Sequence, residues 1–330
     1  MNLKELDLSK TVYSFYYPEV ESLIDEFLKS IDDSFHKRYF NSSASKQDEF
    51  HLSFFEGFKN WSAPVLDVEW NDFPFMYPTG GASEAIREQI VYLKTQGYNK
   101  LYVLEGEYEG YEAIAKVLGF SIVKIPQEAI LDMNTSFFDD EKSIFFVSNP
   151  NSVDGNINHE LIDYIGLLNI SHSHIRFYLD IVYIGTLAKE KYTIHLKKDN
   201  IDGIFFSLSK SFGVYYHRIG GCFLKYENPL LYGNKWFKNL LSLQIGELLM
   251  KNFDIFYLPN KYIEKKRMAI ASINKILGGD YTSAHCSECI LLTTVNKIHF
   301  DENSFNELAR FKKHDNIRLC LTTILEKLSR

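Results

Sequence analysis

The feature that most constrains the fold is an alternation that begins near Tyr77. Five short apolar runs stand out: KLYVLE (Lys100 to Glu105), SIVKI (Ser121 to Ile125), SIFFVS (Ser143 to Ser148), IRFYLD (Ile175 to Asp180) and GIFFSLS (Gly203 to Ser209). They are too short for helices and rich in Ile, Val and Phe, so they read as strands. Between them lie stretches with helical spacing, among them YEGYEAIAKVLG, stopped by Gly119, and HELIDYIGLL. Strands alternating with helices to about residue 225 predict an α/β domain whose mostly parallel sheet is covered on both faces. In such sheets ligands sit outside the carboxyl ends of the strands, so the polar residues after each run carry the functional question.

The flanks read differently. Val20, Leu23, Ile24, Phe27, Leu28 and Ile31 recur with helical spacing and predict an amphipathic helix from about 18 to 34. NSSASKQDE reads as a loop and HLSFFEGFKNW as helix. Beyond residue 225, GNKWFKNLLSLQIGELLMKNF and NKYIEKKRMAIASINKIL predict two long helices. CILLTTV and IRLCLTT predict strands of a smaller terminal α/β unit. The chain thus divides into an N-terminal helical segment (1–75), a central α/β domain (76–225) and interdomain helices with a small C-terminal domain (226–330).

Three groups of residues lie where a ligand would be met. Gly80, Gly81, Ala82 and Ser83 open a helix, where free N–H groups and a hydroxyl make an anion site. Asp180 ends a strand, with Tyr183 three positions on. Ser207, Ser209 and Lys210 end the last strand, and Arg218 comes after a glycine turn. A buried ammonium or guanidinium is costly unless something anionic or covalent meets it. Lysine forms an imine with an aldehyde, and arginine grips phosphate through paired N–H donors. Each feature alone is ordinary, but together they describe a phosphorylated aldehyde with a basic ring nitrogen, which is pyridoxal 5′-phosphate.

SLSKSFGVYYHRIGG resembles the lysine motif of fold-type I pyridoxal-phosphate enzymes, in particular the class I/II aminotransferases. FYLDIVYIG is similar to that family's Asp-x-x-Tyr strand, TGGASEAI to its phosphate loop, and VLEGEYEGYEAIAKVLG to the segment that supplies the stacking aromatic. NPNSVDG is similar to its Asn-Pro-Asn-Asn-Pro-Thr-Gly turn, and HDNIRLCLTT to its carboxylate-binding strand. The six motifs keep the family's order from about residue 77 to 322.

The resemblance implies a three-layer domain with a mostly parallel seven-stranded sheet and a smaller C-terminal α/β domain. It implies that Lys210 carries the internal aldimine, that Asp180 pairs with the pyridinium nitrogen and that Tyr183 donates to the phenolic oxygen. Tyr108 would stack on the ring. Gly81, Ala82, Ser83, Ser207, Ser209 and Arg218 would hold the phosphate side, and Arg318 the substrate carboxylate. It also implies a homodimer acting on an amino acid and a 2-oxo acid, with Tyr39 as the candidate to reach the partner's site. The turn departs from the pattern. Ser152 and Val153 stand where the family has Asn and Pro, and that Asn normally touches the phenolic oxygen, so Ser152 or Asn151 inherits the contact. Asp154-Gly155 resembles the alliinase-like branch, which includes lyases. Elimination, decarboxylation or oxidation on the same cofactor is therefore the alternative to transamination.

Composition narrows the rest. A net charge of −7 speaks against a nucleic-acid partner. There is no run of eighteen apolar residues, and the opening MNLKELDLSK lacks a signal-peptide pattern, so a cytoplasmic protein without membrane contact is expected. Four cysteines are too few for a disulfide scaffold. Cys286 and Cys289 beside His285 form a lone CxxC that lacks a second ligand pair, so no metal is expected.

Overall fold

The computed structural model describes residues 8–13, 15–40, 44–188, 192–196, 200–236, 239–277, 288–296, 308–313 and 316–329. Three helices come first: α1 (Pro18–Lys29), α2 (Asp33–Phe40) and α3 (Ala44–Ser62). The single helix expected over 18–34 is two. Ser30 closes α1 with its hydroxyl on the Phe27 carbonyl at 2.7 Å. Asp32 then caps α2, accepting from the Ser34 and Phe35 N–H groups at 2.9 Å each. The stretch read as a loop is helical from Ala44 on, as its Ala, Lys, Gln and Glu residues favour.

The chain continues through β1 (Leu66–Val68), β2 (Phe75–Thr79), α4 (Ala82–Thr95), β3 (Lys100–Leu104), α5 (Glu109–Val117), β4 (Ser121–Ile125) and α6 (Glu128–Leu131). Next come β5 (Ser143–Ser148), α7 (Leu161–Ser171), β6 (Ile175–Asp180), β7 (Ile194–Leu196), β8 (Gly203–Ser207), α8 (Ser209–Phe212) and β9 (Gly220–Leu224). The main sheet has seven strands in the order β2-β9-β8-β6-β5-β3-β4. Strand β9 runs against both its neighbours, and the other pairings are parallel. The two strands of this sheet that the pattern did not predict, β2 and β9, are interrupted by Pro78 and by Gly220 and Gly221. Strands β1 and β7 form a separate parallel pair.

Beyond the sheet lie α9 (Leu240–Asn252), α10 (Tyr257–Leu277), β10 (Leu292–Asn296), β11 (Lys312–Lys313), β12 (Asn316–Cys320) and α11 (Thr322–Lys327). The last three strands make an antiparallel sheet in the order β10-β12-β11. Among the described residues no helix is long and apolar enough to cross a membrane.

Period-two alternation splits the core. Phe145, Phe177 and Phe206 face one cluster, while Phe146, Tyr178 and Phe205 face the other. Both faces are buried, which is why these strands read as continuous apolar runs. Helix α3 lays Phe55 against Phe223, ring centroids 4.9 Å apart, and Phe54 against Phe206 at 5.9 Å. Burying each such ring stabilises the fold by about 1.5–3 kcal/mol. Helix α9 approaches closely enough that a Cβ on Gly246 would stand 2.7 Å from the Phe54 ring.

Register then positions the site. Ser148 lies opposite Asp180, Asp180 opposite Phe205, and Ser207 opposite Gly220. Because β9 is antiparallel, its first residue sits at the edge where its neighbours end, and Arg218 just before it joins them there.

Candidate active site

At this edge Thr11, Val12, Tyr13, Ala82, Ser83, Tyr108, Ser152, Asp180, Val182, Tyr183, Ser207, Ser209, Lys210, Tyr215, Arg218 and Arg318 line a cavity of about 440 Å³. Residues spread over more than 300 sequence positions thus converge on one volume.

Lys210 sits on the single turn of α8, and its amine donates to the Val12 carbonyl. Burial pulls its pKa down to about 8, the Arg318 guanidinium pulls the same way, and Asp180 opposes. At pH 7 such an amine is still mostly protonated, but about a tenth of it is neutral, far more than for an ordinary lysine, and the neutral form is the one that attacks a carbonyl or accepts a proton. Its Nζ stands 5.9 Å from the centroid of the buried Tyr183 ring.

Asp180 is buried at the end of β6. Burial pushes its carboxyl up to about 7, against the hydrogen bonds it accepts from the Tyr111 hydroxyl at 2.9 Å and the Val182 N–H at 3.0 Å. A carboxyl so desolvated favours its ionised form only when a cation meets it.

Gly81 is the N-cap of α4; its φ of 91° suits glycine, and it offers no side-chain cap to the first N–H groups. A Cβ on Gly81 would stand 3.2 Å from Arg218 Nη2 and 3.3 Å from Ser207 Oγ, so glycine leaves open the cradle between them. Arg218 holds a left-handed φ of 51°, which costs a non-glycine residue about 1–2 kcal/mol. Strain of this kind persists where the surroundings fix a side chain for a purpose. Tyr108 caps α5 and its hydroxyl lies 3.3 Å from Ser83 Oγ, tying the starts of α4 and α5 together.

Arg318 is buried on β12. Its Nε donates to the Lys10 carbonyl at 2.7 Å, and Nη1 donates to the Ser152 carbonyl. The N-terminal segment is pinned there too, through Cys320 N–H to the Ser9 carbonyl at 2.7 Å and Thr322 Oγ1 to the Tyr13 carbonyl at 3.1 Å.

Not every expected residue lines the cavity. The Asn151 amide donates to Gln127 Oε1 at 3.0 Å and its oxygen accepts from the Val153 N–H at 2.7 Å, which turns it into the loop. Gly81 forms the back of the cradle rather than its lining. Tyr39 lies on α2, with its side chain outside the described residues. Of the CxxC, Cys286 and the adjacent His285 lie outside the described residues, and Cys289 is a buried thiol 3.3 Å from Thr186 Oγ1. Sequence reasoning missed Tyr111, although its i,i+3 spacing from Tyr108 carries it to the next turn. It also missed Glu107, and the N-terminal segment, which carries no motif.

These residues fit a phosphorylated aldehyde with a basic ring nitrogen. The cradle suits a phosphate, the amine of Lys210 suits an aldehyde, and the buried Asp180 carboxyl suits a ring cation. Known proteins agree. A family model for aminotransferase class I and II matches residues 76–244, just over half of the chain. No curated protein matches the sequence. Solved structures share the fold at low identity. A histidinol-phosphate aminotransferase from Clostridium acetobutylicum is 14% identical, with a TM-score of 0.63, 97% of this chain and 98% of that one covered. The pyridoxal-phosphate-bound C-S lyase from Staphylococcus hominis is 13% identical, with a TM-score of 0.63 and coverage of 96% and 89%. An L-threonine-O-3-phosphate decarboxylase from Porphyromonas gingivalis is 15% identical, with a TM-score of 0.60 and coverage of 96% and 98%. Pyridoxal 5′-phosphate is the cofactor of this site. With its seven-stranded sheet, its lysine at the carboxyl edge and its family match, the chain belongs to the class I and II aminotransferase family of fold-type I pyridoxal-phosphate enzymes.

Proposed function

We propose that the protein is an aminotransferase that moves an amino group between an amino acid and a 2-oxo acid. The observation that carries this reading is the convergence of Lys210, Asp180, Arg218 and Arg318 on one cavity. When bound, pyridoxal phosphate supplies an aldehyde that takes the substrate amine and an electron-poor ring that stabilises negative charge at Cα. The rest is work for the chain. Arg218, Ser207, Ser209 and the start of α4 from Gly81 to Ser83 hold the phosphate. Asp180 keeps a proton on the ring nitrogen and is itself oriented by the Tyr111 hydroxyl. Tyr108 covers one face of the ring and Tyr183 meets the phenolic oxygen.

Arg318 takes the substrate carboxylate, exchanging its Lys10 and Ser152 carbonyl partners for a charged one. The Lys210 amine would serve as the base that takes the substrate's Cα proton and then as the acid that gives it back, a role for which a pKa near 8 is well placed. On this reading residues 76–225 are the cofactor-binding body and 226–330 carry the carboxylate-binding arginine.

The test is a half-reaction. Holoenzyme is incubated with a panel of amino donors, and absorbance, keto product and released cofactor are measured. Transamination yields aminated cofactor together with the matching 2-oxo acid. Ammonia or carbon dioxide released without aminated cofactor would replace this reading by elimination or decarboxylation.

A further inference from the structure

Position 152 is where the family sets an asparagine that serves the cofactor's phenolic oxygen, and the structure shows a different use for the serine hydroxyl. Ser152 Oγ stands 2.6 Å from Glu107 Oε2. Glu107 is 3% exposed, and its carboxylate also receives the Ser148 N–H at 2.9 Å, the Tyr108 N–H at 3.3 Å and Ser148 Oγ at 2.7 Å. The Ser148 hydroxyl accepts from the Ser152 N–H at 2.7 Å, so its own single hydrogen points to Glu107. A carboxylate only accepts, and a hydroxyl has one hydrogen. The hydrogen in the remaining contact is therefore that of Ser152, so its hydroxyl has only lone pairs left to offer any group in the cavity that Ser152 lines.

We propose that Glu107 is a positioning residue that reverses the polarity of this turn. By holding the Ser152 hydrogen it makes Ser152 present an acceptor, not a donor, to the phenolic oxygen, so the cofactor's linkage to Lys210 keeps its proton to higher pH. This rests on the reading of Lys210 as the cofactor-bearing residue. Two effects act in one direction. Lone pairs against the phenolic oxygen raise its basicity, and the Glu107 charge reaches the same region, since it adds to the upward push on the Asp180 carboxyl. Among the described residues, the other titratable or charged groups that act on Lys210 or share its cavity are Asp180 at the end of β6, Tyr183 three residues beyond it, Arg318 and Cys320 from β12, Cys289, Tyr13, Tyr108, Tyr215 and Arg218. Wild type and variants at 107 or 152 share them, so differences report Glu107 and Ser152.

The experiment is a pH titration of the visible absorbance of the holoenzyme, which tracks the protonated linkage. Glu107→Gln removes the charge and frees the Ser152 hydrogen, and Ser152→Asn restores a donor. Each is expected to lower the titration midpoint by about one pH unit or more. Ser152→Ala is expected to leave the midpoint in place or lower it. A midpoint unmoved in Glu107→Gln overturns the proposal, and so does one raised in Ser152→Ala, because loss of a true donor would raise it. Circular dichroism and the amplitude of the band verify folding and loading. Should Glu107→Gln not fold, the two Ser152 variants decide by the same signs. A Lys210→Ala protein that keeps the wild-type titration would instead remove the reading on which the proposal rests.

Discussion

Replacing Asp180 with Asn changes one buried carboxyl and nothing in its shape, and its effect can be worked out in sign and size. In the cofactor-free protein, burial pushes the Asp180 carboxyl from its ordinary value of 3.8 up to about 7. Between those values the folded chain holds a proton that the unfolded chain has released. The native state then binds more protons than the unfolded one, so stability falls as pH rises through this window. The shift is about 3 pH units, which corresponds to about 4 kcal/mol lost between pH 4 and pH 8. Asn does not titrate. The stability of wild type minus that of Asp180→Asn, measured by urea unfolding of the cofactor-free proteins, should therefore fall by about 4 kcal/mol across that range. Saturating cofactor should abolish the slope, because the ring cation keeps the carboxylate ionised. Stability curves that stay parallel with pH would refute the claim that Asp180 is a desolvated carboxyl awaiting a cation.

The same geometry gives other expected outcomes. Asp180→Ala should still take up cofactor, yet transamination should slow by about two to four decades, the rate equivalent of about 3–5 kcal/mol for breaking a buried pair; stopped-flow half-reactions measure this. Gly81→Ala puts a methyl between Arg218 and Ser207 at a positive φ, and cofactor titration should show affinity at least about tenfold weaker. If the buried Arg318 takes the substrate carboxylate as proposed, Arg318→Ala should lower kcat/KM for the amino donor by about 30-fold or more, while the cofactor spectrum stays as in wild type.

The sheet was legible because its strands are buried on both faces. The Phe145/Phe146 and Phe205/Phe206 pairs feed opposite clusters, and that makes continuous apolar runs of the kind only a doubly covered strand tolerates. Strand β9 was not legible, since Gly220 and Gly221 lie close against Phe206, where packing overrides propensity. Asp180, Ser207, Lys210 and Arg218 could be picked out because residues at the ends of adjacent strands gather along one edge of the sheet. Arg318 could be named only through its resemblance to a known strand. The segment from Ser9 to Tyr13 could not be foreseen at all, because it contributes backbone carbonyls, which every residue has. The Glu107–Ser152 contact was hidden for a similar reason: it joins two turns that only the register of β3, β5 and β6 brings together.

The covalent partner of the cofactor is the foundation of this mechanism. Reducing the holoenzyme with borohydride and sequencing its peptides by mass spectrometry tests it directly. The reduced cofactor is predicted on Lys210 in the Ser-Leu-Ser-Lys segment, with no labelled peptide from Lys210→Ala. A label on another lysine, or an unmodified Lys210 in fully loaded protein, would contradict it.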